Sequence, residues 1–154
     1  MFLAPLLDEP PRAHRLEIEA GGRVLATSLE TAFDSSSRKK GLLGRDSMAP
    51  DSAIIIAPSG GIHTCFMRFP IDVLLVAKDG RAVQLRHSMR PWRMAMSWRA
   101  FAAIELPAGT LEMCRVSVGD RVVVVPAAES RARQVAPNRA VTKSGHCGAT
   151  AIRR

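Results

Sequence analysis

The sequence predicts a mainly β protein, with a small barrel-like or half-barrel sheet, antiparallel or mixed, and one or two short helices. Two turns support this prediction, Gly21-Gly22 and Asp79-Gly80, because each joins two segments of strand-like residues. Glycine supplies the positive φ angle that tight hairpin turns require. The strand-like segments are short and regularly separated by turn residues, which favours a barrel or sandwich over a parallel α/β sheet.

The first hairpin is predicted to pair strands 15–20 and 23–31, where polar and apolar residues alternate. A short helix should follow over 35–43, because Asp34 is a good N-cap and Gly44 a good stop. The later predictions are a buried strand closed by Pro58, a strand over 62–69, a hairpin over 71–89, a strand over 101–110 and a last strand over 121–125. Residues 86–100 fit neither pattern cleanly and are predicted to form a structured surface loop.

Length and charge indicate one domain with basic residues concentrated at its C-terminal end. The 154 residues contain no tyrosine and only two tryptophans, so the core must be mainly aliphatic. We predict an N-terminal extension over 1–14, a single β-rich domain over 15–126 and a basic, disordered tail over 127–154. That tail carries six basic residues and one acidic residue, a net charge of +5 out of +8. Its composition favours a solvated tail, with weak contact to polyanions as a further alternative.

Targeting and metal-binding signals are weak in this chain. The N-terminal apolar run is short, lacks a basic leader and is broken by Pro5, and no run is long enough to span a membrane. We therefore predict a soluble, cytoplasmic protein without a membrane partner. The cysteines, Cys65, Cys114 and Cys147, are odd in number and widely spaced, which argues against a disulfide scaffold and a structural zinc site. No metal or cofactor is predicted.

The segment from Gly60 to Arg81 contains the densest group of chemically active side chains. If residues 62–69 form a strand, His63, Cys65 and Met67 share one face, since strand side chains alternate. Cys65 could then be a thiol nucleophile with His63 as its base, or the three side chains could hold a soft metal ion. We favour packing for the cysteine and methionine, because both residue types are commonly buried.

Other polar residues are stronger candidates for a site. Arg68 and Asp72 flank a proline bend, where they could form a charged pair that shapes a pocket or a structural ion pair. Glu105 lies in an apolar strand, so it should pair with an arginine or face a pocket. Arg90 and Arg93 flank a tryptophan in a basic loop, which could stack on a base or a sugar ring or simply face solvent.

Four segments together resemble a prokaryotic family known as domain of unknown function 192. These segments are "RKKGLLGRDSM", "HTCFMRFPIDVLLVAKDGRAV", "ELPAGT" and "VSVGDRVVV", and the resemblance covers about residues 16–125. The matching positions are Gly41, Leu42, Leu43, Arg45, Thr64, Met67, Asp72, Asp79, Gly80, Glu105, Ala108, Gly109, Gly119 and Asp120. The family's methionine is Leu43 here, and the segment between Met67 and Asp72 is shorter than in many members. The resemblance implies a compact, mostly β, barrel-like fold and supplies no activity, cofactor or partner.

Taken together, these features predict a non-catalytic accessory module that binds a small molecule or a protein partner in a polar groove. The predicted ligand-binding residues are His63, Thr64, Arg68, Asp72 and Glu105 in the groove, with Arg90 and Arg93 at its rim. The alternative is a hydrolase-like or acid/base enzyme that uses Asp72 or Glu105, or Cys65 as nucleophile. A further alternative is weak nucleic-acid binding through the basic tail.

Overall fold

The computed structural model describes residues 1–8 and 10–127, and within them ten short strands and three short α-helices. The strands are β1 (His14–Ile18), β2 (Arg23–Ala26), β3 (Ser28–Ala32), β4 (Ser52–Ile56), β5 (Gly61–His63), β6 (Ile71–Val76), β7 (Ala82–Met89), β8 (Met94–Met96), β9 (Ala102–Pro107) and β10 (Val122–Pro126). The α-helices are α1 (Pro5–Asp8), α2 (Ser35–Lys40) and α3 (Thr110–Met113), and a 3-10 turn spans Pro11–Ala13. The prediction of a mainly β fold with short helices is confirmed.

The strands form three sheets that remain open rather than closing into one barrel. The largest has the order β3-β4-β9-β6-β7, with β3 parallel to β4 and the other pairs antiparallel. A second, antiparallel sheet has the order β10-β1-β2, and β5 pairs with β8 in a two-stranded ribbon. The sheet is therefore mixed, as the sequence predicted.

The five-stranded sheet separates two hydrophobic clusters. Every residue of β4 and β6 is buried, which fits apolar strands that are covered on both faces. One cluster joins this sheet to the three-stranded sheet, α3 and the N-terminal segment. The other cluster lies under the β5–β8 ribbon and the turns after α2 and β5. A side chain on one face of the central sheet is therefore separated from a side chain on the other.

Two predicted strands are shorter than expected, because the chain turns within each of them. The predicted strand over 23–31 breaks at Thr27, because the chain leaves the three-stranded sheet there and β3 begins in the five-stranded sheet. The backbone N–H groups of Thr27 and Ser28 both donate to the Asp51 carbonyl at this crossing. The predicted strand over 62–69 ends at His63, and Phe66 has a φ of 64°, which belongs to a turn.

Helix α2 begins where the sequence predicted and ends earlier. The Asp34 side chain accepts hydrogen bonds of 2.9 Å from the backbone N–H groups of Ser36 and Ser37. The helix ends at Gly41, whose φ of 42° is a glycine conformation, instead of continuing to Leu43. The predicted loop over 86–100 is also partly wrong, since β7 extends to Met89 and β8 lies inside that range.

The predicted domain began at residue 15, but residues before it are also buried in the core. Leu3 and Leu6 belong to the first hydrophobic cluster, so the predicted N-terminal extension contributes side chains to the core. The predicted basic tail lies outside the described residues, except for its first residue, and remains a prediction. No helix within the described residues has the length and apolar character needed to cross a membrane.

Candidate functional site

A cleft of about 510 Å³ lies on the face of the central sheet that carries the second cluster. Four parts of the chain form it, namely α2 with the turn after it, the end of β4 with the turn after it, β5 with the turn after it, and strand β9. The cleft is lined by residues that include Arg38, Lys39, Lys40, Gly41, Leu42, Leu43, His63, Cys65, Phe66, Met67 and Glu105. The cleft therefore joins segments that are far apart in the sequence.

Glu105 is the acidic residue that lines this cleft. Strand β9 places it opposite Ile54 on one neighbouring strand and opposite Val73 on the other. The residue is only 4% exposed, and its Oε2 atom accepts no hydrogen bond from any described residue. A Cβ atom built on Gly41 would lie 4.0 Å from Oε2, so the backbone at the end of α2 passes close to the carboxyl group.

The electrostatic environment raises the pKa of Glu105 to about 7, because burial removes water from the charged form. The positive charge of Arg45 opposes this effect in part. The Arg45 guanidinium is engaged elsewhere, with Nη1 and Nη2 donating to the two carboxylate oxygens of Glu30 at 2.8 and 2.7 Å. Near neutral pH the Glu105 carboxyl is thus available both as a hydrogen-bond donor and as an acceptor.

Basic side chains from α2 line the cleft on the side of the helix. Arg38 is anchored, since its guanidinium donates to the Phe33 carbonyl and to the Ser35 hydroxyl. Lys39 and Lys40 are exposed, and neither forms an ion pair with a described residue. The sequence did not predict these basic residues as site residues. A run of basic residues at a helix end is visible in the sequence, but the cleft beside it is not.

The residues of the central motif reach the cleft in a different arrangement from the one predicted. His63 is exposed at the end of β5, Cys65 is half-buried and Met67 is buried, and all three line the cleft. Because the strand ends at His63, the predicted common face of the three residues does not exist. No group of three or more His, Cys, Asp or Glu side chains suited to a metal ion is present in the described part of the chain.

Thr64 is a structural link between two turns. Its side chain is fully buried, and Oγ1 donates to the Arg90 carbonyl at 2.7 Å and accepts from the Arg93 backbone N–H at 2.9 Å. The Thr64 backbone N–H also donates to the Arg93 carbonyl, and the Trp92 N–H donates to the Thr64 carbonyl. These bonds fix the turn after β5 to the loop before β8, and the only proton of the Thr64 hydroxyl is engaged in them.

Asp72 lies on the other face of the central sheet from Glu105. Residues that pair across neighbouring strands share a face of the sheet, and successive residues of a strand alternate between faces. Glu105 pairs with Val73 and Asp72 pairs with Leu106, so the two carboxylates point to opposite faces of the sheet. Oδ1 accepts from the Ser88 N–H at 2.7 Å and Oδ2 from the Leu111 N–H at 2.8 Å. Asp72 therefore satisfies two backbone donors inside the protein, and the groove expected to hold it together with Glu105 is not formed.

The predicted arginines lie on the surface. Arg68 donates to Asp46 through Nη1, and both side chains are exposed, so the expected pair with Asp72 is wrong. Arg90 and Arg93 are exposed in the loop before β8, which Thr64 holds in place. Of the seven predicted residues, the structure brings only His63 and Glu105 together in the cleft.

The described residues form a small, mainly β protein whose sheets do not close into a barrel. It has a cleft that is lined by a buried carboxyl group and by basic side chains from α2. Comparison with known families matches residues 16–124 to domain of unknown function 192, described as "Uncharacterized ACR". The chain belongs to this family. Five positions carried by the family resemblance, Gly41, Leu42, Leu43, Met67 and Glu105, line the cleft together. Comparison with curated proteins found no significant match.

Two solved structures are similar to this chain. A proposed transcription regulator from Sinorhizobium meliloti is 29% identical, with a TM-score of 0.61 over 71% of this chain and 89% of that one. A protein of unknown function from Novosphingobium aromaticivorans is 20% identical, with a TM-score of 0.62 over 71% of this chain and 81% of that one. The second similarity concerns the fold alone.

Proposed function

We propose that this protein is a binding module for a small polar molecule that enters the cleft and forms a hydrogen bond with Glu105. The supporting observation is that Glu105 lines a cleft large enough for a small ligand, while its buried Oε2 atom lacks a hydrogen-bond partner among the described residues. A buried polar atom without a partner costs free energy. A ligand that supplies a hydrogen-bond donor would recover that cost, and this favours an amide, hydroxyl or amino group at its inner end.

The outer end of the ligand should carry negative charge. Lys39 and Lys40 offer two ammonium groups without ion-pair partners in the described residues, on the α2 side of the same cleft. Lysine binds carboxylate and phosphate groups as a point charge. We therefore propose a ligand with a donor group at one end and an anionic group at the other, held between Glu105 and the basic end of α2.

The test is a thermal-shift screen of amino acids, hydroxy acids and their phosphorylated forms. We expect donor-bearing anions to raise the Tm of the native chain and to lose this effect in Glu105→Leu, which keeps bulk but removes the carboxyl group. Glu112→Gln is the matched control, since Glu112 is exposed and does not line the cleft. Equal shifts for the native chain and Glu105→Leu would contradict the proposal.

A second candidate function is acid/base catalysis by Glu105. A carboxyl group with a pKa of about 7 can exchange a proton near neutral pH, and general acids and bases work best with a pKa close to the working pH. Asp72 is less suited, because both its oxygens accept backbone hydrogen bonds. Glu105→Gln separates the two functions, since the amide still forms hydrogen bonds but cannot transfer a proton. Turnover that this variant loses while it still binds ligand would favour the enzyme.

The basic tail remains the basis of the nucleic-acid alternative. The similar protein from Sinorhizobium meliloti is described as a proposed transcription regulator, a type of protein that commonly contacts nucleic acid. The tail residues lie outside the described part of the chain, so the cleft carries the main proposal. A cytoplasmic location likewise remains a prediction.

A further inference from the structure

An exposed apolar surface lies beside the cleft, on the β5–β8 ribbon and the adjoining turns. We call the side chains of Phe66, Trp92, Met94, Met96 and Trp98 the aromatic–methionine face. All five are more than half exposed, and Trp98 is 94% exposed. The two tryptophans of the chain are both on this surface. An exposed group of large apolar side chains marks an interaction site more often than a solvated surface.

The ribbon geometry brings three of these side chains to one groove, and the other two contact each other on the adjoining turns. Met94 and Met96 alternate with the buried Ala95, so both point outward, and they pair with His63 and Gly61 on β5. Met94, Met96 and Trp98 also line one shallow groove. The rings of Phe66 and Trp92 contact each other with centroids 4.6 Å apart, which extends the surface to the turn after β5.

The chain segment that carries β8 and four of its flanking arginines has charge of a single sign. The segment between Gly80 and Glu105 contains five arginines and no acidic residue. Arg86, Arg90, Arg93 and Arg99 are exposed, and none of them forms an ion pair with a described residue. This pattern fits a uniformly anionic partner. It disfavours a second copy of the chain, because a two-fold contact would bring the same arginines together.

We propose that the aromatic–methionine face binds the surface of an anionic lipid bilayer, with the arginines contacting the lipid headgroups. Tryptophan is favoured at the membrane interface, and exposed apolar side chains beside basic residues bind anionic lipid surfaces. The flexible methionine side chains can fill irregular apolar surroundings. This proposal differs from the sequence-based expectation of no membrane partner and requires no ligand in the cleft, although Phe66 also lines the cleft.

The ring geometry favours lipid over single-stranded nucleic acid. Bases stack on exposed ring faces. Phe66 and Trp92 meet edge to face with an interplanar angle of 63°, so they do not offer two parallel stacking platforms. Bulk apolar contact with a bilayer requires no such alignment. Met94 and Met96, which have no ring, make up a further part of the exposed surface.

The test uses the full chain with vesicles of phosphatidylcholine alone or mixed with phosphatidylglycerol. Flotation measures binding, and tryptophan emission reports the environment of the face, since Trp92 and Trp98 are the only two tryptophans. We expect binding to the mixed vesicles only, weaker binding as salt rises, and emission at shorter wavelength in the bound state.

Variants separate the face from the basic tail, which is unchanged in all of them. Trp98→Ser should weaken binding about tenfold because it removes an apolar anchor, and Arg90→Ser or Arg99→Ser about fivefold each. Met113→Ser and Arg115→Ser are the matched controls, since both residues are exposed at or just after α3, the helix that packs with the first hydrophobic cluster. We expect these controls to bind as the native chain does.

Four outcomes would overturn the proposal. The first is flotation without an emission shift, which would assign binding to the tail. The second is equal weakening by Trp98→Ser and Met113→Ser. The third is an emission shift on a thymidine oligonucleotide without binding to vesicles, which would indicate a nucleic-acid surface. The fourth is an emission shift that follows protein concentration without vesicles, which would indicate a second copy.

Discussion

Two buried carboxylates on neighbouring strands have opposite roles in this protein. Asp72 accepts two backbone hydrogen bonds, from Ser88 and Leu111, and so links strand β6 to the end of β7 and to α3. Glu105 is buried to a similar extent, but its Oε2 atom accepts no hydrogen bond within the described residues. The difference arises because β9 turns the Glu105 side chain toward the cleft, whereas β6 turns Asp72 toward the first cluster.

The raised pKa of Glu105 predicts how stability depends on pH. The folded protein favours the protonated carboxyl, so the contribution of Glu105 is complete below pH 4.5 and is lost as pH rises through about 7. The loss amounts to about 3 kcal/mol of unfolding free energy. Glu105→Gln should therefore unfold like the native chain in mild acid and be the more stable of the two above pH 7. Urea unfolding across this range measures the difference.

Glu112→Gln is the control for this experiment, because Glu112 is exposed on α3. It should change the pH dependence little. The same pH dependence in Glu105→Gln and the native chain would show that folding does not raise the pKa of Glu105.

At the level of elements, the turn between β6 and β7 also contacts strand β10 of the three-stranded sheet. Gly80 has a φ of 87°, and a Cβ atom there would collide with the Val122 carbonyl oxygen of β10 and contact the Phe2 side chain. The Val122 N–H also donates to the Gly80 carbonyl at 2.9 Å. The hairpin turn therefore packs against the three-stranded sheet, and the sequence predicted only its position.

Gly80→Ala should destabilise the protein by about 3 kcal/mol, because it combines a strained φ with a backbone clash. Gly119→Ala is the matched comparison, since Gly119 has a φ of 98° but nothing within 4 Å of a built Cβ atom. It should cost about 1 kcal/mol from backbone strain alone. Chemical denaturation of both variants measures this difference, and equal losses would mean that the turn does not need the close contact.

At the scale of the whole molecule, the core begins at the N-terminal end of the described chain. Leu3 and Leu6 pack with strands from both larger sheets in the first cluster, although the sequence suggested an extension before residue 15. The short apolar segment shares this cluster with residues of the three-stranded and the five-stranded sheet, so its side chains are buried by partners far along the chain. Periodicity within seven residues could not reveal this partner.

Leu3→Ala should lower the unfolding free energy by about 3 kcal/mol, since it removes a side chain that is 1% exposed from the core. Leu7→Ala is the control in the adjoining helix α1, because Leu7 is 63% exposed. It should change stability by less than about 0.5 kcal/mol. If Leu3→Ala were equally harmless, the N-terminal segment would be an extension outside the cooperative unit, as the sequence suggested.

The sequence by itself determined the mainly β class, the hairpin turns, the Asp34 cap of α2 and the family. These depend on local signals, namely turn glycines, apolar runs and motif order, which act within a few residues. The sequence also identified Glu105 as a carboxylate in an apolar strand, which should pair with an arginine or face a pocket. It misjudged the segment after His63, because the hydrogen bonds that bend it come from residues 90–93, far along the chain.

The tertiary structure decided which polar residues meet. Alternation along one strand cannot show which face of a sheet is covered by which element, so Asp72 and Glu105 looked equivalent until the strand pairing separated them. The cleft exists because α2, the turn after β5 and β9 converge, and no single segment contains that information. The aromatic–methionine face likewise depends on the β5–β8 pairing, which turns two methionines outward on a segment expected to be a loop.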